Sequence, residues 1–117
     1  ENIFYHKPVL AKNLHFYTSS ADVGICLIEN TCLNENYCLP NKLFEYLSGH
    51  IPVIVSSLYE LRKFIKTNKC GYIFNLKKDN LTSFLNKNIN KKNLDLKLNN
   101  IKKTNLKYDW KFEEIKF

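Results

Sequence analysis

Two apolar periods alternate along this short chain, and that alternation limits its folds more than any other feature. Asp22-Val23-Gly24-Ile25-Cys26-Leu27-Ile28 contains a continuous apolar run, Pro52-Val53-Ile54-Val55 a second, and Tyr72-Ile73-Phe74 a third. Short uninterrupted runs of this kind suit strands covered on both faces, as in parallel sheets. Between the runs the apolar residues recur at helical spacing. Leu43, Phe44 and Leu47 form a stripe behind Pro40, which suits a first helical position, and Gly49 closes the segment. Ser57 and Glu60 make a capping-box pattern ahead of Leu58, Leu61 and Ile65. Asp79 can cap a helix carrying Leu81, Phe84, Leu85 and Ile89, and Leu94, Leu98 and Ile101 mark another. The pattern predicts an α/β domain, a parallel sheet flanked by helices with right-handed crossovers.

The flanks are read in the same way. Ile3-Phe4-Tyr5 is a short strand-like run, and Leu10, Leu14 and Tyr17 fall on one face of a helix reaching Ser20. Glu29 to Cys38 is a polar loop, and Tyr108-Asp109-Trp110 leads into a last short helix, with Trp110 as a packing anchor. At 117 residues there is room for a single domain over 1–117, and an apolar share of 44% is enough for a core.

Several function classes are disfavoured. The apolar runs are too short to cross a bilayer, and no leader is read, so a cytoplasmic protein with reduced thiols is expected. Cys26, Cys32, Cys38 and Cys70 lack paired C-x2-C spacing, and with three histidines neither a zinc site nor a disulfide framework is expected. The net charge of +7 lies largely between Lys77 and Lys107 and reads first as a solvated lysine surface. It also suits anionic partners: nucleoside diphosphates, acidic lipid headgroups or RNA. No aromatic-and-basic RNA motif is present, and Phe16-Tyr17 is expected to pack within its helix, so no nucleic acid is expected. His6, His15 and His50 form no base-and-nucleophile arrangement, Ser56-Ser57 reads as a helix cap, and no catalytic residue is assigned.

Ligands of parallel α/β sheets bind beyond the carboxyl ends of the strands. That rule selects the loop after Ile28 and the helix opening at Pro40. The first amides of such a helix are free and partly positive, which suits phosphate oxygens, and Lys42 adds a mobile cation. Glu45, about one turn further in, could accept two hydrogen bonds from a vicinal diol such as a ribose. Position alone leaves another role open, because an early helical Glu also complements the helix dipole.

Four segments then carry a resemblance over nearly the whole chain. Asp22-Val23-Gly24-Ile25, Leu39-Pro40-Asn41-Lys42-Leu43-Phe44-Glu45-Tyr46, Gly49-x-x-Pro52-Val53-Ile54 and Gly71-Tyr72 resemble, in order and spacing, the C-terminal domain of GT-B glycosyltransferases of family 4 (glycosyl transferases group 1). Tyr108-x-Trp110-x-x-Glu113 is similar to that domain's closing element. The resemblance implies a partial Rossmann-like sheet that binds a nucleotide-sugar donor, through Tyr37, Leu39, Pro40, Asn41, Lys42 and Glu45. It also implies sugar transfer with retention of configuration to a glycan or lipid-linked acceptor, in surface polysaccharide or glycoconjugate biosynthesis, with neither cofactor nor metal.

The family's Glu-x7-Glu pattern has Tyr37 in place of its first acid, so the sugar and any role of Tyr37 or Glu35 stay open. The resemblance further implies that the chain starts at the third strand of this domain, without the first two strands, their diphosphate-binding Arg/Lys pair, and the N-terminal domain that holds the acceptor. Val23–Ile28 would then lie at an open edge of the sheet. No turnover by this chain alone is expected, and a cytoplasmic location includes the inner face of a membrane, with peripheral contact to anionic lipid. Two other readings are a sugar-nucleotide epimerase-like domain, which shares the architecture, and a non-catalytic basic module for RNA or anionic membrane.

Overall fold

The structure, a computed structural model, describes residues 2–107; the Tyr108–Trp110 segment, Glu113 and the last helix expected there lie outside the described residues. The elements are α1 (Ala11–Ser19), β1 (Gly24–Cys26), α2 (Leu33–Asn36), α3 (Asn41–Ser48), β2 (Val53–Ser56), α4 (Tyr59–Asn68), β3 (Gly71–Phe74), α5 (Leu81–Asn88) and α6 (Lys91–Lys107). The three strands form one parallel sheet in the order β1-β2-β3. The α/β class with helices flanking a parallel sheet, read from apolar period alone, is the class observed.

Alternation along β2 divides the interior. Val53 and Val55 point into the larger cluster, with Cys26, Leu43, Leu47, Leu61, Ile65 and Ile101. Helices α3, α4 and α6 supply most of that layer. Ile54 points the other way, joining Tyr72 and Phe74 under Phe84 and Leu85 of α5 and Ile89 just after it. Ile101 is fully buried and holds the long, lysine-rich α6 to the domain. Two side-chain bonds reinforce it: Asn105 Nδ2 donates to the Leu47 carbonyl at 2.8 Å and Asn100 Nδ2 to the Lys69 carbonyl at 3.0 Å. Both bring a side-chain donor to a carbonyl at a helix end.

Several local expectations are corrected. Ile3–Tyr5 is not a strand; all three side chains are exposed, with no neighbouring strand to pair. The apolar face expected on α1 is only partly covered: the helix has no buried residue, and Phe16 and Tyr17 are exposed, their rings edge-on to those of His15 (6.3 Å) and His6 (4.9 Å). The run Val23–Ile28 pairs only over Gly24–Cys26. Beyond it the Ile28 N–H donates to the Ser56 hydroxyl instead of a backbone carbonyl, which ends the ladder.

The caps also shift. Pro40 is the extended residue before α3 rather than its first helical position, and Asn41 opens the helix. Leu58, not Ser57, precedes α4, and Ser57 instead accepts from Arg62 Nη1 at both its carbonyl (3.3 Å) and its hydroxyl (3.4 Å). Asn80, not Asp79, caps α5, with its side chain accepting from Ser83 N at 3.1 Å. Asp79 accepts from Asn75 N at 2.7 Å and closes the turn after β3. Gly49 does end α3, but with φ −74°; the left-handed residue is His50, φ 59°. Gly49 is small for a packing reason, because a β-carbon there would sit 3.3 Å from Thr18 Cγ2 of α1.

Strand β1 lies at the end of the sheet. Ile25 is 48% exposed, and the ring of Tyr46 covers Gly24 while its hydroxyl donates to the Ile25 carbonyl at 3.3 Å. A side chain thus occupies one outward backbone acceptor of this edge, which limits its capacity to pair with other strands.

Candidate functional site

The three strands release their chains on one side, as parallel order requires. There Ile28, Glu29, Asn30, Thr31, Ser56, Ser57, Leu58, Asn75, Leu76 and Lys77 line an open cavity of about 550 Å³. Its rim is fixed by local bonds. The Glu35 carboxylate accepts from the Thr31 amide (2.7 Å), the Thr31 hydroxyl (2.7 Å) and the Cys32 amide (3.3 Å). The Thr31 bonds hold the Glu35 carboxyl below its ordinary range. They also create α2, a short helix inside the loop expected to be irregular. The Cys32-x-x-Glu35 spacing, which has capping-box form, was the available signal.

Asn36 and Tyr37 then join this loop to α4. The Tyr59 amide donates to Asn36 Oδ1 at 2.9 Å, satisfying one of the free amides at the start of α4. The Tyr37 ring lies 5.4 Å from that of Tyr59, tilted by 52°. Tyr37 therefore packs on α4. On the opposite rim, Asn75 Oδ1 accepts from the amides of Lys77 (3.0 Å) and Lys78 (3.2 Å).

The segment from Leu39 to Glu45 forms the next part of this edge. Leu39 packs against the larger core cluster and anchors the approach to α3. The Pro40 carbonyl accepts from Leu43 N at 3.1 Å, closing the first turn. Asn41, Lys42 and Glu45 are exposed, while Leu43 and Leu47 are buried. The helix thus buries one stripe and leaves its polar side to solvent.

Two of the expected site residues come together. Asn41 and Glu45, with Phe44 and Ser48, form one wall of a cleft of about 590 Å³ whose other wall is Ala11, Leu14, His15 and Thr18 of α1. Lys42 faces a different neighbour. Burial pushes the Cys26 thiol up, and the positive charge of Lys42 opposes that shift while Cys38 adds to it. Lys42 therefore sits by the end of β1, Glu45 by α1, and Tyr37 by α4. None of the six expected residues lines the strand-end cavity.

That cavity includes the loop after Ile28, which the sequence selects, and adds Ser56, Ser57 and Asn75, short polar side chains that no spacing rule identifies as site residues. Asn36 lies outside its lining and acts through the Tyr59 amide. Glu29, Asn30 and Lys77 give the cavity both donors and acceptors. Among the described residues no three His, Cys, Asp or Glu side chains gather where they could hold a metal ion. No helix among them is long and apolar enough to cross a membrane. No protein-family model, curated protein or solved structure matches the chain.

Proposed function

We propose that this chain is the nucleotide-sugar-binding part of a GT-B-type glycosyltransferase. In this reading α3 and its approach hold the donor. The free amides of the first turn and Lys42 carry the diphosphate, Asn41 lies beside them, and the Glu45 carboxylate accepts from the ribose diol. Leu39 and Pro40 set the entry angle, and Tyr37 stiffens the neighbouring loop through Tyr59. The observation that most supports the reading is the polar side of α3. Asn41, Lys42 and Glu45 are solvent-exposed on an eight-residue helix whose other side is anchored in the core, and Asn41 and Glu45 share one open cleft.

The chemistry assigned to these residues is electrostatic. A departing nucleoside diphosphate gains negative charge as the bond to the sugar breaks, and helix amides with a nearby ammonium stabilise that charge. The acceptor is held by a domain other than this one, so the chain binds donor nucleotide but does not turn it over. The transfer retains anomeric configuration and requires no metal.

Calorimetric titration with UDP, GDP and ADP tests the reading. At least one should bind, and Glu45→Ala should weaken that nucleotide about tenfold or more, as expected for loss of a charge-assisted pair of hydrogen bonds worth roughly 1.5–3 kcal/mol. Heat protection by RNA in place of any nucleotide would sink the proposal.

A further inference from the structure

Two of the four thiols are buried and two are exposed, and the exposed pair stands at the two ends of one helical turn. Cys32 is the residue before α2, and its amide donates to the Glu35 carboxylate at 3.3 Å. Cys38 lies just past the end of α2, and its Sγ donates to the Glu35 carbonyl at 3.6 Å. Helical rise over six positions is about 9 Å. A disulfide needs its α-carbons within about 7 Å, so the two sulfurs cannot join while the turn is wound.

The turn is weakly held. Helix α2 has four residues and none of them is buried, so unwinding it uncovers little apolar surface. It nevertheless positions groups beyond itself. Asn36 Oδ1 accepts from the Tyr59 amide at 2.9 Å, and the Tyr37 ring lies 5.4 Å from that of Tyr59, so both tie the loop to the start of α4. Thr31, bonded to the Glu35 carboxylate, lines the strand-end cavity. A change of state at α2 therefore reaches both α4 and the rim of that cavity.

We propose that Cys32 and Cys38 form a thiol–disulfide switch, with α2 wound in the dithiol state and unwound in the disulfide state. The oxidant is a low-molecular-weight disulfide such as oxidised glutathione. One cysteine thiolate attacks it, forms a mixed disulfide and releases one glutathione thiolate. The other thiolate attacks the protein sulfur of that mixed disulfide, forms the Cys32–Cys38 bond and expels the second glutathione thiolate. Two protein thiols are oxidised, one glutathione disulfide is reduced, and the two cysteine protons end on the two glutathiones. Once the ring is closed, Asn36 and Tyr37 leave Tyr59. The switch is read at Tyr59, so it stands or falls separately from nucleotide binding at α3.

The full 117-residue chain, equilibrated with oxidised glutathione and digested with a protease that cuts after glutamate, tests it. Cuts after Glu29 and Glu35 place Cys26, Cys32 and Cys38 on separate peptides. Mass spectrometry should find residues 30–35 joined to residues 36–45. Hydrogen exchange at the Tyr59 amide should run about three- to tenfold faster in the oxidised chain, the factor expected for loss of a single hydrogen bond. Dithiothreitol should reverse both changes. Under the same conditions Cys32→Ser should keep one glutathione on Cys38 and exchange at Tyr59 within about twofold of the reduced wild type.

Three results in the wild type would each overturn the proposal: glutathione held singly with no bridge, a bridge from Cys38 to Cys26, or a Cys32–Cys38 bridge with exchange at Tyr59 unchanged. Fast exchange at Tyr59 in glutathione-bearing Cys32→Ser would also overturn it, because added bulk and not ring closure would then open the loop.

Discussion

The ring of Tyr46 lies directly over Gly24: a β-carbon on that glycine would fall 2.4–2.6 Å from three of the ring carbons. This contact links two of the segments that carry the family resemblance. It gives Gly24 and Tyr46 a packing role that is separate from any ligand, and it seals the open edge of the sheet through the bond from Tyr46 to the Ile25 carbonyl.

Gly24→Ala should therefore displace the ring and destabilise the fold by about 1–3 kcal/mol, the usual cost of overpacking. Chemical denaturation measures it. The same substitution should cost clearly less in a Tyr46→Leu background, because the clash partner is gone. Equal costs in both backgrounds would show that the contact is not what constrains Gly24.

Lys69 ends α4 with φ 53°, a left-handed conformation that a β-carbon disfavours. Lys69→Gly should stabilise the chain by roughly 1 kcal/mol, seen as a higher denaturant midpoint. The Lys69 carbonyl still accepts from Asn100, so the α6 tether survives the change. A neutral or destabilising result would mean that the left-handed turn is not strained.

Cys70 is fully buried, and burial pushes its thiol from 9.0 up to about 11. The folded-state value is the higher one, so the native state holds its proton more tightly than the unfolded chain. Its contribution to stability is complete below about pH 9 and is lost as pH rises through about 11. Across that window stability should fall more steeply in the wild type than in Cys70→Ala, by up to about 1.4 kcal/mol per pH unit. Parallel curves would contradict the burial. At neutral pH a thiol reagent should modify Cys32 and Cys38, which are exposed, well before Cys26 and Cys70.

What the sequence revealed, and what it hid, follows from how far each signal reaches along the chain. Val53–Val55 and Tyr72–Phe74 were legible as strands because both faces are covered, which leaves an unbroken apolar run. The stripe Leu94, Leu98 and Ile101 identified α6, although only Ile101 of the three is fully enclosed. Ile3-Phe4-Tyr5 has the composition of a strand and no strand beside it, and β propensity expresses little without a partner. The caps were displaced by one residue where two polar candidates were adjacent, as at Asp79 and Asn80, and the choice depended on which side chain the following turn could reach.

The candidate site was legible in part. Pro40 to Glu45 could be recognised as a polar helix start, and the structure has that helix. The strand-end cavity was legible only at the loop after Ile28; Ser56, on its other side, acquires its position from a bond to a residue distant in sequence, Ile28. Nor could sequence separate Lys42 from Glu45, which the helix turns toward β1 and toward α1 respectively.

The central claim is that Glu45 and the start of α3 hold the ribose and diphosphate of an activated sugar. Titration of the chain with a series of nucleoside diphosphates, in wild type and Glu45→Ala, tests it most directly. The account predicts saturable binding of at least one nucleotide, weakened about tenfold or more by the substitution, with Lys42→Ala weakening the diphosphate more than the free nucleoside. Nucleotide binding of equal strength in wild type and Glu45→Ala, or no binding of any member of the series, would contradict it.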